Sequence, residues 1–420
     1  MATTDENTAS ATRTTEKPTE QHGMFHSLSA YRGFRLLFLG TMATNSAFWM
    51  YQIAVGWLAL QETDSPLFVG LTGFAGGIPL LIFAIPSGVV IDRVDRRTVL
   101  MIAQASIMVV ASAFAIMIAT GAIRPWSILA LAFVYGTIMS FVFPTRNAIV
   151  PNLVAREDLV NAVALNAAGQ NSTRVVGPSL AGVLIAIVGV SGTFAVAAAM
   201  QILALLWTAQ LPKMASDIAV RSSSLWRNVT EGIEAVARDE FLKGMILLAG
   251  LVTILVMPYI NLMPVFARDE MHLGATGLGA LMACSGTGSV LGALAVARWR
   301  ALGYVRGIQV WSAIAFAAFV IVFAFTSITV AAGLLLFVAG LVSASYLAIN
   351  QTVLQLRIDD AVRGRVLSIY LLTWGMLPLG QLPIGALADR IGAPAATAAA
   401  CALAILLFIG MAIRYPSLRD

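Results

Sequence analysis

Residues 68–118 read FVGLTGFAGGIPLLIFAIPSGVVIDRVDRRTVLMIAQASIMVVASAFAIMI. An uncharged run of 24 residues, 68–91, is followed by six residues, 92–97, that carry two aspartates and three arginines, and then by a second uncharged run of 21, 98–118. The hydrocarbon core of a bilayer takes about 20 helical residues to cross. Backbone groups in lipid must be satisfied within the segment, which a helix achieves. The stretch therefore predicts two membrane-spanning helices joined by a short charged loop.

The same alternation runs through the chain. Apolar runs near 36–60, 68–91, 98–118, 127–149, 162–187, 192–211, 243–266, 276–297, 306–326, 328–352, 364–388 and 394–413 are each long enough to span. Composition agrees: of 420 residues, 59% are hydrophobic and only 11% charged, with a mean hydropathy of +0.85, against about 25% charged in soluble domains. The fold class expected is an all-α polytopic membrane protein with twelve transmembrane helices in two pseudo-symmetric six-helix bundles. A β-barrel is excluded because its strands would alternate over about 10 residues. Cys284 and Cys401 both sit in apolar runs without metal-ligand spacing and read as small hydrophobes, so neither a disulfide scaffold nor a metal site is expected. The sequence pI near 9.5 does not imply nucleic acid, because the basic residues are dispersed between spans. The bilayer is the expected partner, and the chain is expected to act as a monomer.

Connections after even-numbered runs hold 16 Lys and Arg, among them Arg93, Arg96, Arg97, Arg146, Arg156 and Arg357; those after odd-numbered runs hold Arg124, Arg268 and Arg390. The positive-inside rule places the basic connections, and with them both termini, in the cytoplasm. The expected organisation is a disordered cytoplasmic tail over 1–33, a six-helix bundle over 34–211, a cytoplasmic linker over 212–242, a second six-helix bundle over 243–414 and a cytoplasmic C-terminus over 415–420. Within the linker, Leu225, Trp226, Val229, Ile233 and Val236 recur at helical intervals between charges, which predicts an amphipathic interfacial helix. The two halves echo each other. Gly88 precedes Gly292 by 204 positions, Gly177 and Gly182 precede Gly380 and Gly385 by 203, and Asp158 precedes Asp360 by 202. Near-constant offsets suggest duplication, a feature of alternating-access transporters.

The loop Gly88-Val-Val-Ile-Asp92-Arg93-Val-Asp95-Arg96-Arg97 resembles the loop motif of the major facilitator superfamily, Gly-x-x-x-Asp-Arg-x-Gly-Arg-Arg, with Asp95 where that superfamily usually has glycine. A weaker echo, Gly385-Ala-Leu-Ala-Asp389-Arg390-Ile-Gly392, follows the eleventh run on the other side. Trp49-Met50, Trp57-Leu58, Thr63-Asp64-Ser65-Pro66, Ile149-Val150-Pro151 and Gly177-Pro178-Ser-Leu-Ala-Gly182 resemble the branch of bacterial exporters for siderophores and macrolide-type drugs. The resemblance implies residence in the cell's inner (plasma) membrane and a gating role for Gly88, Asp92, Arg93, Arg96 and Arg97. Asp92 would meet the N-terminus of the eleventh helix near Gly364, where the helix dipole favours an anion. The helix-5 motif Gly177, Pro178 and Gly182 resembles the antiporter signature of drug exporters, with Thr173 where a glycine often stands.

Arg174 is the one ionisable residue placed well inside a run, and Asn166, Gln170 and Arg174 share one helical face at i, i+4, i+8. A cation at mid-span costs about 2.5–3.5 kcal/mol on insertion scales and usually faces a cavity or a partner. It serves either an anionic or carbonyl-rich substrate or a structural set of carbonyls and amides. The superfamily lines its central cavity with helices 1, 4, 7 and 10, which nominates Asn45, Trp49 and Gln52, Tyr135, Tyr259 and Asn261, and Tyr346 and Asn350 together with Ser343. Helix-to-helix hydrogen bonding is the alternative role for each.

Together these features imply a secondary transporter that exports a small amphipathic molecule, with no catalytic residue and no cofactor. Proton coupling is implied by the resemblance and has no assignable carrier, because the acids lie at helix ends or in loops. No Gly-x-x-x-x-Gly-Lys-Ser loop is present to bind ATP. An importer of another metabolite, a lipid-acting membrane enzyme and a channel or receptor are the competing readings. The enzyme would need a catalytic cluster around His22, His26 or His272, and the channel a continuous polar pore.

Overall fold

The computed structural model describes residues 25–214, 225–299, 307–358 and 363–418; residues 1–24 of the expected tail and Asp360 lie outside them. The helices are α1 (His26–Ala30), α2 (Arg32–Thr63), α3 (Pro66–Arg93), α4 (Arg96–Ala119), α5 (Pro125–Ile149), α6 (Leu159–Thr208), α7 (Leu225–Arg238), α8 (Glu240–Leu251), α9 (Met263–Val265), α10 (Ala275–Trp299), α11 (Ile308–Ala324), α12 (Thr329–Arg357), α13 (Arg363–Trp374), α14 (Leu377–Ile391) and α15 (Ala393–Arg414). Among the described residues nine helical segments are long and apolar enough to cross a membrane. One of these contains α6, whose 50 residues are interrupted at Gly189 (φ 73°, ψ 178°), so it makes two passes. The 17-residue apolar α11 and the 32-residue, more polar α2 are consistent with the expected twelve passes.

Local chemistry fixes the boundaries. Ser65 caps α3, accepting from the Phe68 N–H at 3.3 Å, with Pro66 at the first helical position. Asp239 caps α8 through the Phe241 and Leu242 N–H groups. In the seventh pass, α8 runs into a π-turn at Val252–Val256, a 3₁₀ turn at Met257–Ile260, α9 and a second π-turn at Phe266–Glu270, because Pro258 and Pro264 cannot donate to a regular ladder.

One boundary is corrected. Residues 26–33, assigned to a disordered tail, begin the helical structure: Ser27 is fully buried and its hydroxyl donates to Asn161 Oδ1 at 2.7 Å, while the Tyr31 hydroxyl donates to Asp158 Oδ2 at 2.8 Å. These polar anchors dock α1 on the start of α6. The linker helix α7 rests on α8 and α13 of the C-terminal bundle, held by a 3.1 Å ion pair between Glu231 and Arg365.

The duplication is visible in the packing. Within the first bundle Gly136 of α5 presses on the Gly76 carbonyl of α3, and within the second Gly340 of α12 presses on the Ser285 carbonyl of α10, at offsets of 204 and 209. Aromatic clusters repeat as well: Tyr51 meets Phe114 at 5.9 Å and Phe194 at 6.0 Å, and Tyr259, 208 positions later, meets Phe316 at 6.1 Å and Phe323 at 6.4 Å.

The two bundles meet by the same device, used twice. Gly182 of α6 lies against Gly279 of α10, where an added Cβ would stand 2.5 Å from the partner Cα. Gly385 of α14 lies against Gly70 of α3, where it would stand 2.9 Å away. Glycines let helix backbones touch in lipid, where packing replaces the hydrophobic driving force.

Gly182→Ala should destabilise the detergent-purified protein, because overpacking costs about 1–3 kcal/mol. Gly410→Ala, in α15 with nothing within 4 Å of a new Cβ, should leave stability unchanged or raise it by up to about 1 kcal/mol. Thermal midpoints check this, and equal effects would contradict the crossing.

Candidate functional site

The charged loop between α3 and α4 is built by capping. Asp95, standing where glycine was expected, has φ −52°, so no glycine is needed. Its Oδ2 accepts from the Thr98 N–H (3.1 Å) and hydroxyl (2.7 Å), and its Oδ1 from the Met214 N–H (2.8 Å), tying the loop to the start of the linker. Partial burial opposes the charge, but these hydrogen bonds outweigh it and hold the carboxyl below its ordinary value. Arg96 donates to the Ala148 carbonyl (3.0 Å) and Asn152 Oδ1 (2.9 Å), and Arg97 to the Ala209 carbonyl (2.6 Å). Both arginines thus satisfy carbonyls at the C-terminal ends of α5 and α6, where a cation is favoured. Asp92 and Arg93 are exposed, as is the neighbouring Val94, and Gly88 lies in the last turns of α3. Asp92 makes no hydrogen bond or ion pair among the described residues, so the expected contact at the start of α13 is not among those observed.

At the face opposite this basic loop the bundles are latched. Asp389, at the end of α14, accepts from the Ser65 hydroxyl at 2.7 Å and the Leu67 N–H at 3.4 Å, capping α3 from the other bundle. Arg268 pairs with Asp64 at 2.9 Å and donates to the Leu60 carbonyl at 3.0 Å. Among the described residues, the hydrogen bonds and ion pairs between the bundles all lie at this face, and the glycine crossings lie between it and mid-span.

Between the bundles lies a cavity. Trp49, Gln52, Tyr51 and Tyr135 enter from the first bundle and Asn261, Gln381 and Trp374 from the second, amid aliphatic side chains. Tyr51 and Tyr135 stack at 3.6 Å. Four buried polar atoms, the two tyrosine hydroxyls, Asn261 Nδ2 and Gln381 Oε1, have no hydrogen-bond partner among the described residues. A second cavity shares Trp374 with the first and is lined by Arg174, Ser289 and Gln351 among others.

The nominated residues divide. Trp49, Gln52, Tyr135, Asn261 and Arg174 line these cavities. Asn45, Asn166, Gln170, Tyr259, Tyr346 and Asn350 are not among the residues lining these two. Tyr259 is buried among Phe316 and Phe323. Tyr346 and Asn350 are wholly buried inside their own bundle, and α12 instead turns Ala344, Leu347, Ala348 and Gln351 toward the second cavity. Polar residues at i, i+3, i+7 mark that helix's packing face. Asn166 is buried, and Gln170 accepts the Thr173 hydroxyl on its carbonyl at 2.7 Å. In the helix-5 motif, Gly177 packs on Trp49 Cβ and the Ser46 carbonyl, the adjacent Pro178 is buried within α6, and Gly182 forms the crossing between bundles.

Asn45 has a different function. Its Oδ1 accepts from Arg146 Nη1 at 2.8 Å, and Arg146 is only 2% exposed. Arg146 was counted among loop cations because it stands three residues from the end of its apolar run; it is a buried charge, and removing it from the loop count leaves the orientation reading intact. Gln381 and Tyr51 were also missed. Gln381 sits in a run dense with glycine and proline that draws attention to packing, and Tyr51 lies beside two nominated neighbours.

The chain matches the transmembrane secretion effector family over residues 26–420. It is 24% identical to the staphyloferrin A transporter of Staphylococcus aureus over 364 residues, covering 85% of this chain and 88% of that protein. It is 22% identical to macrolide efflux protein A of Streptococcus pyogenes (81% and 85% covered) and 27% identical to the multidrug efflux pump Tap of Mycolicibacterium fortuitum (88% and 92% covered). Among solved structures, the nucleoside transporter NupG superposes with a TM-score of 0.71 at 13% identity, covering 91% of this chain and 98% of that one. A bacterial homologue of the human lysosomal transporter Spinster, inward-facing and unoccupied, superposes with a TM-score of 0.70 at 14% identity, covering 93% and 99%.

Asn45→Leu should strand the Arg146 cation and destabilise the purified protein by about 1–3 kcal/mol. The Asn45→Leu, Arg146→Met double variant should recover most of that loss, because a buried polar pair is replaceable by apolar side chains of similar volume. Thermal midpoints of the three proteins check it; a double variant worse than the single would contradict the pairing.

Proposed function

Since the chain belongs to the transmembrane secretion effector family of the major facilitator superfamily, we propose that it is a secondary transporter that exports a small amphipathic molecule by alternating access. The observation that carries this reading is the cavity built by both bundles and latched at one face. Relatives named for siderophore transport, macrolide efflux and multidrug efflux support export. The positive-inside rule assigns the basic face to the cytoplasm, which puts both termini there and makes the latched face external in an inner-membrane monomer. In this reading the structure is the state that loads from the cytoplasm.

The gate in this proposal is reciprocal. The motif Gly-x-x-x-Asp-Arg occurs at the end of α3 (Gly88 to Arg93) and at the end of α14 (Gly385 to Arg390). Asp389 now caps the N-terminus of α3 at the external face. Asp92 would cap the N-terminus of α13 when the cytoplasmic face closes, the same anion-to-helix-start interaction on the other side. Opening one latch frees the chain to make the other. Carboxylates in the described spans stand near the ends, at Glu62, Asp92, Glu157, Asp158, Glu240, Asp269, Glu270 and Asp389. If protons drive export, these gate acids or the substrate carry them.

Expression in a host stripped of its own efflux pumps should lower accumulation of at least one member of a panel of siderophores and amphipathic drugs. Asp92→Asn should cut that export about tenfold or more at unchanged membrane abundance, which quantitative immunoblotting checks. Unaltered accumulation across the panel argues against export, and full activity of Asp92→Asn removes its gating role.

A further inference from the structure

Several arginines of the described helices and loops are given acceptors. Arg96, Arg97 and Arg268 donate to backbone carbonyls, and Arg146 to Asn45. Arg174 differs. It projects from mid-α6 into the cavity it shares with Ser289 and Gln351, its guanidinium centre is 5.6 Å from the Trp49 ring centroid, and it makes no hydrogen bond or ion pair among the described residues. A structural arginine in a span would be expected to spend N–H donors on carbonyls or amides, as Arg146 does on Asn45, although its Nε and Nη2 stay unpartnered among the described residues. Cation–π contact with the indole stabilises the cation without using its N–H donors.

Charge in the cavities is equally one-sided. Among the described lining residues of both, Arg174 is the sole charged side chain, and no carboxylate balances it. The first cavity shares Trp374 with the second and presents the Tyr51 and Tyr135 stack and the unpartnered Asn261 Nδ2 and Gln381 Oε1. A ligand that answers this arrangement has an anionic head for the guanidinium fork and a flat, apolar body bearing one or two hydrogen-bonding groups.

We infer that Arg174 is the anchor of an organic-anion site, and that the exported substrate carries a carboxylate, or an oxyanion of like geometry, on an aromatic or apolar body. This rests on the transporter reading and names its substrate class. Arginine pairs with carboxylate through two parallel hydrogen bonds, which lysine cannot reproduce.

The test uses the full chain in lipid nanodiscs and three probes that share one fluorophore: dansylglycine (anionic), dansylamide (neutral) and dansylcadaverine (cationic). Energy transfer from protein tryptophan to bound dansyl reports binding. Dansylglycine should bind at least about tenfold more tightly than the other two. Arg174→Gln should bring it to the level of dansylamide, whose own affinity should not change, and Arg174→Lys should restore part of the preference. On unmodified protein, 2-naphthoate should displace dansylglycine and 2-naphthamide should not, a readout that needs no variant. Equal affinities, absent dansylglycine binding, or a preference that survives Arg174→Gln would overturn the site. If every exported compound in the accumulation screen is neutral or cationic, the transporter reading stands and the anion site falls.

Discussion

Two helical bundles in lipid gain little from burying apolar surface against each other, because the surrounding tails are equally apolar. What joins these two is backbone contact, at Gly182 with Gly279 and at Gly385 with Gly70. Each crossing tolerates no Cβ, and the two are related by the internal repeat, so the seam is symmetric about the molecular axis. Both lie between mid-span and one face, where Asp389 and Arg268 add the polar latch. Contacts of α3 with α14 and the turn that precedes it continue from this face to mid-span, at Gly77 with Pro378 and Leu81 with Gly375, and the first cavity lies beside them.

The scarcity of charge governs what that cavity can hold. With 47 charged residues in 420, nearly all at helix ends or in loops, each buried one has to be accounted for. Arg146 is enclosed, hydrogen-bonded to Asn45 and absent from the cavity linings, which fits a role in holding the first bundle together. Arg174 reaches the cavity over the Trp49 ring and makes no hydrogen bond or ion pair among the described residues. The two arginines show that burial alone does not assign a role; what the donors meet does.

Spans, the linker helix and the repeat were legible because each rests on periodicity or length: a run of some 20 apolar residues has few alternatives in lipid. The break at Gly189 likewise falls where two runs were separated. Side-chain direction was less legible. Polar residues of α12 were read as cavity-facing, yet Tyr346 and Asn350 turn inward and the small residues Ala344 and Ala348 face the opening. A polar stripe on a membrane helix marks whichever neighbour must satisfy it, and sequence alone does not say whether that neighbour is a helix or a solute. Arg146 escaped notice because a loop cation and a buried cation one turn inside the span look identical in sequence. Asp95 shows the reverse: an apparent departure from the glycine pattern is a helix cap that also anchors the linker.

The central claim, that the latch at one face and the gate at the other are alternatives, is tested most directly by paired spin-label distances. One pair, at Glu62 and Ile391, reports the latched face; the other, at Arg156 and Lys243, reports the basic face. Both distances are measured before and after the latch is cut by Asp389→Asn with Arg268→Ala. The account predicts a longer distance at the first pair together with a shorter one at the second. Two distances that lengthen together, or a first pair unmoved by loss of the latch, would contradict it.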